Sequence, residues 1–226
     1  MTITTTGLTR AAGLSAAAAG LIFIAVQINH PTMDVASVAT TEWVVRNSAK
    51  VAMTALALVG VTGLYLRQVR HVGVLGLVGY LLFGAGYLLM FSTEIISAYV
   101  LPGLVTIAPG YVNDIVVAAA GGAPAGDIGA MSTVLAVTGI GYMVGGLVFG
   151  IALFRARIVA RWAAALLAVG TIATASLAVL PESFNRPMAV PVGIALVGLG
   201  VSLWRNPVTP AVTDVSVLPL VEHATI

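Results

Sequence analysis

Long apolar runs separated by short polar breaks dominate the chain. A membrane-spanning helix needs about 20 mainly apolar residues, within a range of roughly 17–25. The stretches 11–28, 48–66, 73–91, 133–154, 160–180 and 188–204 each meet that need. The third has an open end, because apolar residues resume as far as Val100. A membrane β-barrel would instead alternate apolar and polar positions in segments of roughly ten residues. These runs are unbroken, so the pattern predicts an all-α fold. It is a polytopic bundle of six spans over residues 1–204, followed by a loosely ordered cytosolic tail over 205–226. Arg10 ahead of the first run has the look of a signal peptide. That run is long for such a role, however, and Gln27-Ile28-Asn29-His30-Pro31 follows it rather than a small-residue cleavage site. The expectation is a retained span.

The breaks carry their own pattern. In the long break 101–132, Pro109 suits a first helical turn, and Val112, Ile115, Val116 and Ala119 then fall on one helical face. Gly121 and Gly122 stop it. A short amphipathic helix on the outer surface is expected there. Ahead of the second span, Glu42, Arg46 and Lys50 sit four apart and are expected to pair along one helical face.

Composition narrows the class. Hydrophobic residues make up 59% of the chain and charged residues 8%, against roughly 25% charged in a soluble domain. A soluble enzyme, a disordered chain and a coiled coil are excluded. The formal net charge of +2 is too small, and too scattered, for a nucleic-acid surface. The absence of cysteine removes disulfides, thiolate metal sites and thiol catalysis.

The few charges are sorted. Placing the N-terminus inside puts Arg10, Arg67, Arg70, Arg155, Arg157, Arg161 and Arg205 on the inner side, and Arg46, Lys50 and Arg186 on the outer. Short-loop Lys and Arg favour the inner side, so the expected orientation is N-in and C-in. Three inner exits place an aromatic ring near an arginine: Tyr65 with Arg67, Phe154 with Arg155, and Trp204 with Arg205. These are the expected inner interface anchors. The similar endings fit either a parallel hairpin repeat or convergent interface chemistry.

Glycine supplies packing faces. Gly141 with Gly145, and Gly146 with Gly150, are spaced G-x-x-x-G, which lets helix backbones approach closely. Packing inside the bundle is favoured over dimerisation. Gly76, Gly79, Gly84 and Gly86 in the third run suggest a matching groove.

Candidate chemistry lies on the outer side. A carboxylate inside a span is costly unless paired or facing water, which makes Glu94 a functional candidate. Counting about 1.5 Å per residue from Gly73 puts Glu94 about 31 Å along, near the edge of a roughly 30 Å hydrocarbon core. It therefore faces either a pocket or the outer headgroups. His30 and Asp34 flank the first span, and Asn185-Arg186-Pro187 follows the fifth. Arg186 either binds an anionic group or pairs with Glu182. His30, Asp34 and Glu94 lack the spacing of a metal site, and Pro31 interrupts the first two, so no metal is expected. Histidines at unlike depths argue against haem. No G-x-S-x-G elbow, Walker loop or H-E-x-x-H motif is present. No cofactor is expected.

Three functional expectations follow. The first is a bundle that binds or passes a small molecule through an outer cavity lined by Glu94, His30, Trp43 and Arg186. The second is a non-catalytic partner or scaffold subunit for another membrane protein. The third is a membrane enzyme acting on lipid or quinone through Glu94 or His30. The lipid bilayer is the one partner common to all three.

Three segments, Gln27-Ile28-Asn29-His30-Pro31, Gly63-Leu64-Tyr65-Leu66-Arg67 and Leu153-Phe154-Arg155-Ala156-Arg157, carry a resemblance. With the Ala/Gly/Val/Leu-rich spans up to about Trp204, the chain resembles small six-span integral membrane proteins of high-GC bacteria, a group with no assigned activity. The resemblance implies the bacterial cytoplasmic membrane as the location.

Overall fold

The computed structural model describes residues 2–175 and 186–207. Among these the secondary structure is helical, with no strand. The order is α1 (Thr5–Ala25), α2 (Val35–Val38), α3 (Thr41–Gln68), α4 (Gly73–Ile95), a π segment (Ile96–Val100), α5 (Leu101–Leu104), α6 (Pro109–Ala119), α7 (Met131–Ala156), α8 (Arg161–Ala173), a 3-10 turn (Pro187–Ala189) and α9 (Val190–Arg205).

Five stretches among the described residues are long and apolar enough to cross a bilayer: Thr5–Ala25, Thr41–Gln68, Gly73–Leu104, Met131–Ala156 and Pro187–Arg205. The chain is thus a multi-pass helical membrane protein. The expected fifth span, 160–180, is represented by α8, whose 13 residues fall short of the roughly 20 a span needs. Residues 176–180, Glu182 and Asn185 lie outside the described residues, as does the expected tail beyond 207.

The helices begin earlier than hydropathy alone marks. The Thr4 hydroxyl accepts the Gly7 N–H at 3.1 Å and starts α1 six residues ahead of the apolar run. Thr40 accepts the Trp43 N–H at 3.2 Å and starts α3 seven residues ahead, with Glu42 favourably placed in the first turn. Apolarity marks where lipid lies, whereas capping marks where the helix starts.

The third stretch is continuous to Leu104 through the π segment, and Pro102 accounts for it. The Leu101 N–H reaches back five residues to the Ile96 carbonyl. The next residue, Pro102, has no N–H, so the Ser97 carbonyl has no backbone donor there. The Trp43 indole N–H donates to that carbonyl at 2.8 Å. A freed carbonyl and a buried indole, each costly if left unpaired, satisfy one another.

Each long helix packs on its chain neighbours. The contacts run α1–α3–α4–α7–α8–α9 and close from α9 back to α1. The most extensive seams, α4 with α7 and α1 with α9, are lined with glycine. A Cβ on Gly79 would lie 2.5 Å from the Phe149 nitrogen, and one on Gly86 2.6 Å from that of Tyr142. Gly141 and Gly145 face α4, while Gly146 and Gly150 face α8 at Thr171, Ala164 and Ala168. The two G-x-x-x-G pairs therefore serve different neighbours within one chain. Gly84 has open space around it and takes no part. The α1–α9 seam uses Gly13 and Gly20 against Gly200 and Gly193, a seven-residue spacing in both helices.

Many large apolar side chains also point outward. Leu21, Val59, Leu81, Leu88, Ile140 and Val169 are all exposed. Glycine at the helix seams and large apolar residues on the outer surface suit a lipid surround, where close backbone packing contributes much of what brings helices together.

Two hydrophobic clusters result. The larger runs through the bundle and includes Phe83, Tyr87, Phe149 and Leu167. The smaller caps one end and joins Val38, Trp43, Leu101, Val112, Ile115 and Val116. The expected amphipathic helix is α6. Of its expected face, Val112, Ile115 and Val116 are buried against the cap, whereas Ala119 is exposed. It ends at Ala119, with Gly121 at φ +88°.

Candidate functional site

A cavity of about 880 Å³ lies between the two clusters. Met53, Met90, Met143 and Tyr142 line it from the bundle, and Leu101, Ile115, Val116 and Met131 from the cap. Its volume falls within the range of roughly 300–1,000 Å³ typical of small-molecule sites. With Met33 included, five of the seven methionines in the chain line it. Unbranched thioether side chains adapt their shape to what they touch, so this wall can accommodate different apolar outlines.

Its polar groups come from α3 and α4. Lys50 and Glu94 both line the cavity, with Lys50 Nζ 3.9 Å from a Glu94 carboxylate oxygen. That is an ion pair without a hydrogen bond. Lys50 also donates to Asn47 Oδ1 at 3.1 Å, and the Asn47 amide donates to the Trp43 carbonyl at 2.8 Å. Lys50 is thus held by its own helix and leans toward Glu94. The expected pairing along α3 is corrected in part. Glu42 does pair with Arg46, at 2.7 Å, but Lys50 turns to the neighbouring helix.

The remaining outer charges have structural employment. Arg46 donates to the Val26 and Ile28 carbonyls at 3.1 and 2.7 Å, closing the C-terminus of α1. The Asp34 carboxylate accepts the Ser37 N–H at 2.7 Å and caps α2. Hydrogen bonds from Thr32 and Ser37 hold this acid below its ordinary range. Asp114 accepts the Ala125 and Gly126 N–H groups, each at 3.0 Å, and Asp127 accepts that of Gly129 at 2.7 Å. Among the described acids, Glu94 is the one whose carboxylate serves neither a backbone N–H nor a helix-surface pair.

The structure brings Glu94, Trp43 and Arg186 to the cavity wall. Arg186 reaches toward Gln27 Oε1 at 3.5 Å. His30 is not among the described lining residues. Its Nδ1–H donates to the Pro31 carbonyl at 2.8 Å, and its Nε2 is buried with no hydrogen-bond partner. Burial, then the Lys50 cation, push its pKa down to about 3 from an ordinary 6.5. His30 is therefore neutral across the physiological range. Among the described residues no three His, Asp or Glu side chains gather as metal ligands.

Sequence reasoning missed Lys50, Asn47, Tyr142 and the methionines. Lys50 was concealed by its regular spacing from Arg46. Tyr142 lies within the glycine-rich face of α7, and its buried hydroxyl has no hydrogen-bond partner. It belongs to a run of rings. Tyr65 stacks on Tyr80 at 4.5 Å, Tyr80 meets Phe149 at 6.4 Å, and Phe83, Tyr87 and Tyr142 follow.

The other end of the bundle holds the remaining arginines. Arg67 donates to the Asn206 carbonyl at 3.1 Å, beside Trp204 and Arg205, and Arg161 lies 4.1 Å over the Phe154 ring. Arg155 and His71 border a small cleft there. Tyr65 stacks inward on Tyr80, whereas Trp204 is exposed. Compared with protein-family models, curated proteins and solved structures, this chain matches none.

Proposed function

We propose that the protein binds or passes a small molecule through a cavity open to the outer face of the bacterial cytoplasmic membrane. In this reading six helices cross the bilayer, with both ends inside and α8 belonging to the fifth crossing. The sorting of arginines to the end opposite the cavity supports that orientation. The observation that carries the function is the Lys50–Glu94 pair on the wall of an otherwise mainly apolar cavity of about 880 Å³. A charged pair in a span is costly to retain, and apolar residues of similar volume would be at least as stable. Its position beside open space suits a role in recognition.

The chain has no cysteine, so single cysteines report access directly. Leu135→Cys and Thr138→Cys line the cavity, and Leu81→Cys faces outward as a control. The first two are expected to react with a membrane-impermeant maleimide from the outer side only. Reaction from the inner side alone, or none, would overturn the reading. Loss of any co-purifying small molecule in Glu94→Ala is the second expected result.

The glycine faces bear on the partner-subunit reading. Gly141, Gly145, Gly146 and Gly150 are occupied by helices of the same chain, which weakens their case as a docking face.

A further inference from the structure

Resting on that cavity reading, we infer that its ligand is a neutral, hydroxyl-headed apolar molecule whose oxygen sits between Lys50 and Glu94.

Charge is the first argument. The pair by itself sums to zero and both groups face the cavity, while Arg186, the third charge on the wall, reaches toward Gln27 Oε1. An anionic head would be drawn to Lys50 but would meet the Glu94 carboxylate within the same few ångströms. A cationic head would meet Lys50. In a site walled by methionine and aliphatic side chains, an uncompensated like-charge contact is heavily penalised. A neutral head avoids it.

Hydrogen bonding is the second. The Glu94 carboxylate has no hydrogen-bond donor among the described residues, and Lys50 donates only to Asn47. The 3.9 Å gap between them is too long for one direct bond. A single oxygen about 2.9 Å from the ammonium and about 2.7 Å from the carboxylate closes it with an angle of about 90° at that oxygen. Such an oxygen must accept from one side and donate to the other, and a hydroxyl does both. A carboxylate cannot donate, and a quaternary ammonium can do neither.

Shape is the third. Met53 lies one turn from Lys50 on α3, and Met90 one turn from Glu94 on α4, so both pave the wall beneath the pair. An apolar body attached to the hydroxyl meets them.

The test uses the full chain in lipid nanodiscs. Replacing the exposed Trp162 and Trp204 by Phe leaves Trp43, on the cavity wall, as the sole tryptophan. Quenching of Trp43 is followed with 12-bromododecan-1-ol, 12-bromododecanoate and 12-bromododecyltrimethylammonium. Saturable quenching by the alcohol is expected, at least tenfold weaker for either charged probe. It should be lost in Lys50→Met/Glu94→Leu, which removes both charges and so avoids a stranded ion. The short, water-soluble 6-bromohexan-1-ol separates a ligand taken from water from one taken from the bilayer. Equal or tighter binding of a charged probe overturns the hydroxyl assignment and leaves the cavity reading standing, as does alcohol binding that survives the double substitution. No saturable quenching by any probe overturns both.

Discussion

The glycine seams and the cavity occupy the same helices, yet they are built on opposite principles. Along α4, Gly79 and Gly86 bring the backbone against α7 so closely that a methyl group has no room. Two turns beyond Gly86, at Glu94, the same pair of helices borders about 880 Å³ of open volume. Residue size makes the difference. Glycine opposite glycine closes the seam, whereas methionine, tyrosine and a charged pair hold the cap end apart. Close contact needs flat faces on both helices, and α7 presents them only from Gly141 onward. The cap, joined through α5 and α6, then roofs the space.

The sharpest way to break this contrast is to add volume in each region. Gly79→Ala is expected to cost about 2 kcal/mol, since the backbone of Phe149 must move. Gly84→Ala in the same helix has free space and is expected to be neutral or to gain about 0.5 kcal/mol from helix propensity. Gly139 lines the cavity and also has no neighbour that a methyl would strike. Gly139→Leu is therefore expected to leave the melting temperature near wild type while blocking probe binding. Thermal unfolding in detergent reads all three. A Gly79→Ala protein as stable as Gly84→Ala would dissolve the distinction.

The ion pair comes next. Lys50→Met leaves a carboxylate facing a mainly apolar wall, and should cost about 1–3 kcal/mol more than Lys50→Met/Glu94→Leu. The double-mutant cycle measures that coupling, and purely additive effects would mean the pair does not interact.

Trp43→Phe should cost about 1 kcal/mol by orphaning the Ser97 carbonyl. Pro102→Ala supplies a backbone N–H two residues past Val100 and should recover part of that loss in the Trp43→Phe background. Hydrogen exchange of the cap is the readout.

The smallest effect concerns pH. His30 is held neutral in the folded protein, its pKa lowered to about 3 from 6.5. Between those values the unfolded chain takes up a proton that the folded chain does not. Stability from this group is therefore complete above pH 6.5 and declines as the pH falls toward 3. His30→Gln should flatten the decline between about pH 6.5 and 5. An unchanged slope in that variant would place His30 in an ordinary aqueous setting.

Much of the fold could be read from the chain. The apolar runs located the five long spans found among the described residues, and the Pro109 helix with its Gly121 stop was legible from turn chemistry and periodicity. The helix starts at Thr5 and Thr41 were not, because threonine caps lie in polar sequence that hydropathy passes over. The site was legible only in part. Glu94 stood out as a carboxylate within an apolar run, but Lys50 was hidden in a plausible i,i+4 series. Its true partner lies 44 residues along the chain, on another helix.

Composition and periodicity are local properties, so the sequence by itself determined membrane residence, the long helices, the separation of arginines toward one end and the small-residue faces. Each follows from how a stretch of about 20 residues meets lipid, water or headgroups. The tertiary structure decided which glycine face meets which helix, where packing stops, and which outer charge is left without a structural duty. Those outcomes depend on pairs of residues far apart in the chain. Both Pro102 calling for the Trp43 indole and Lys50 crossing to Glu94 exist only once α3 and α4 lie side by side.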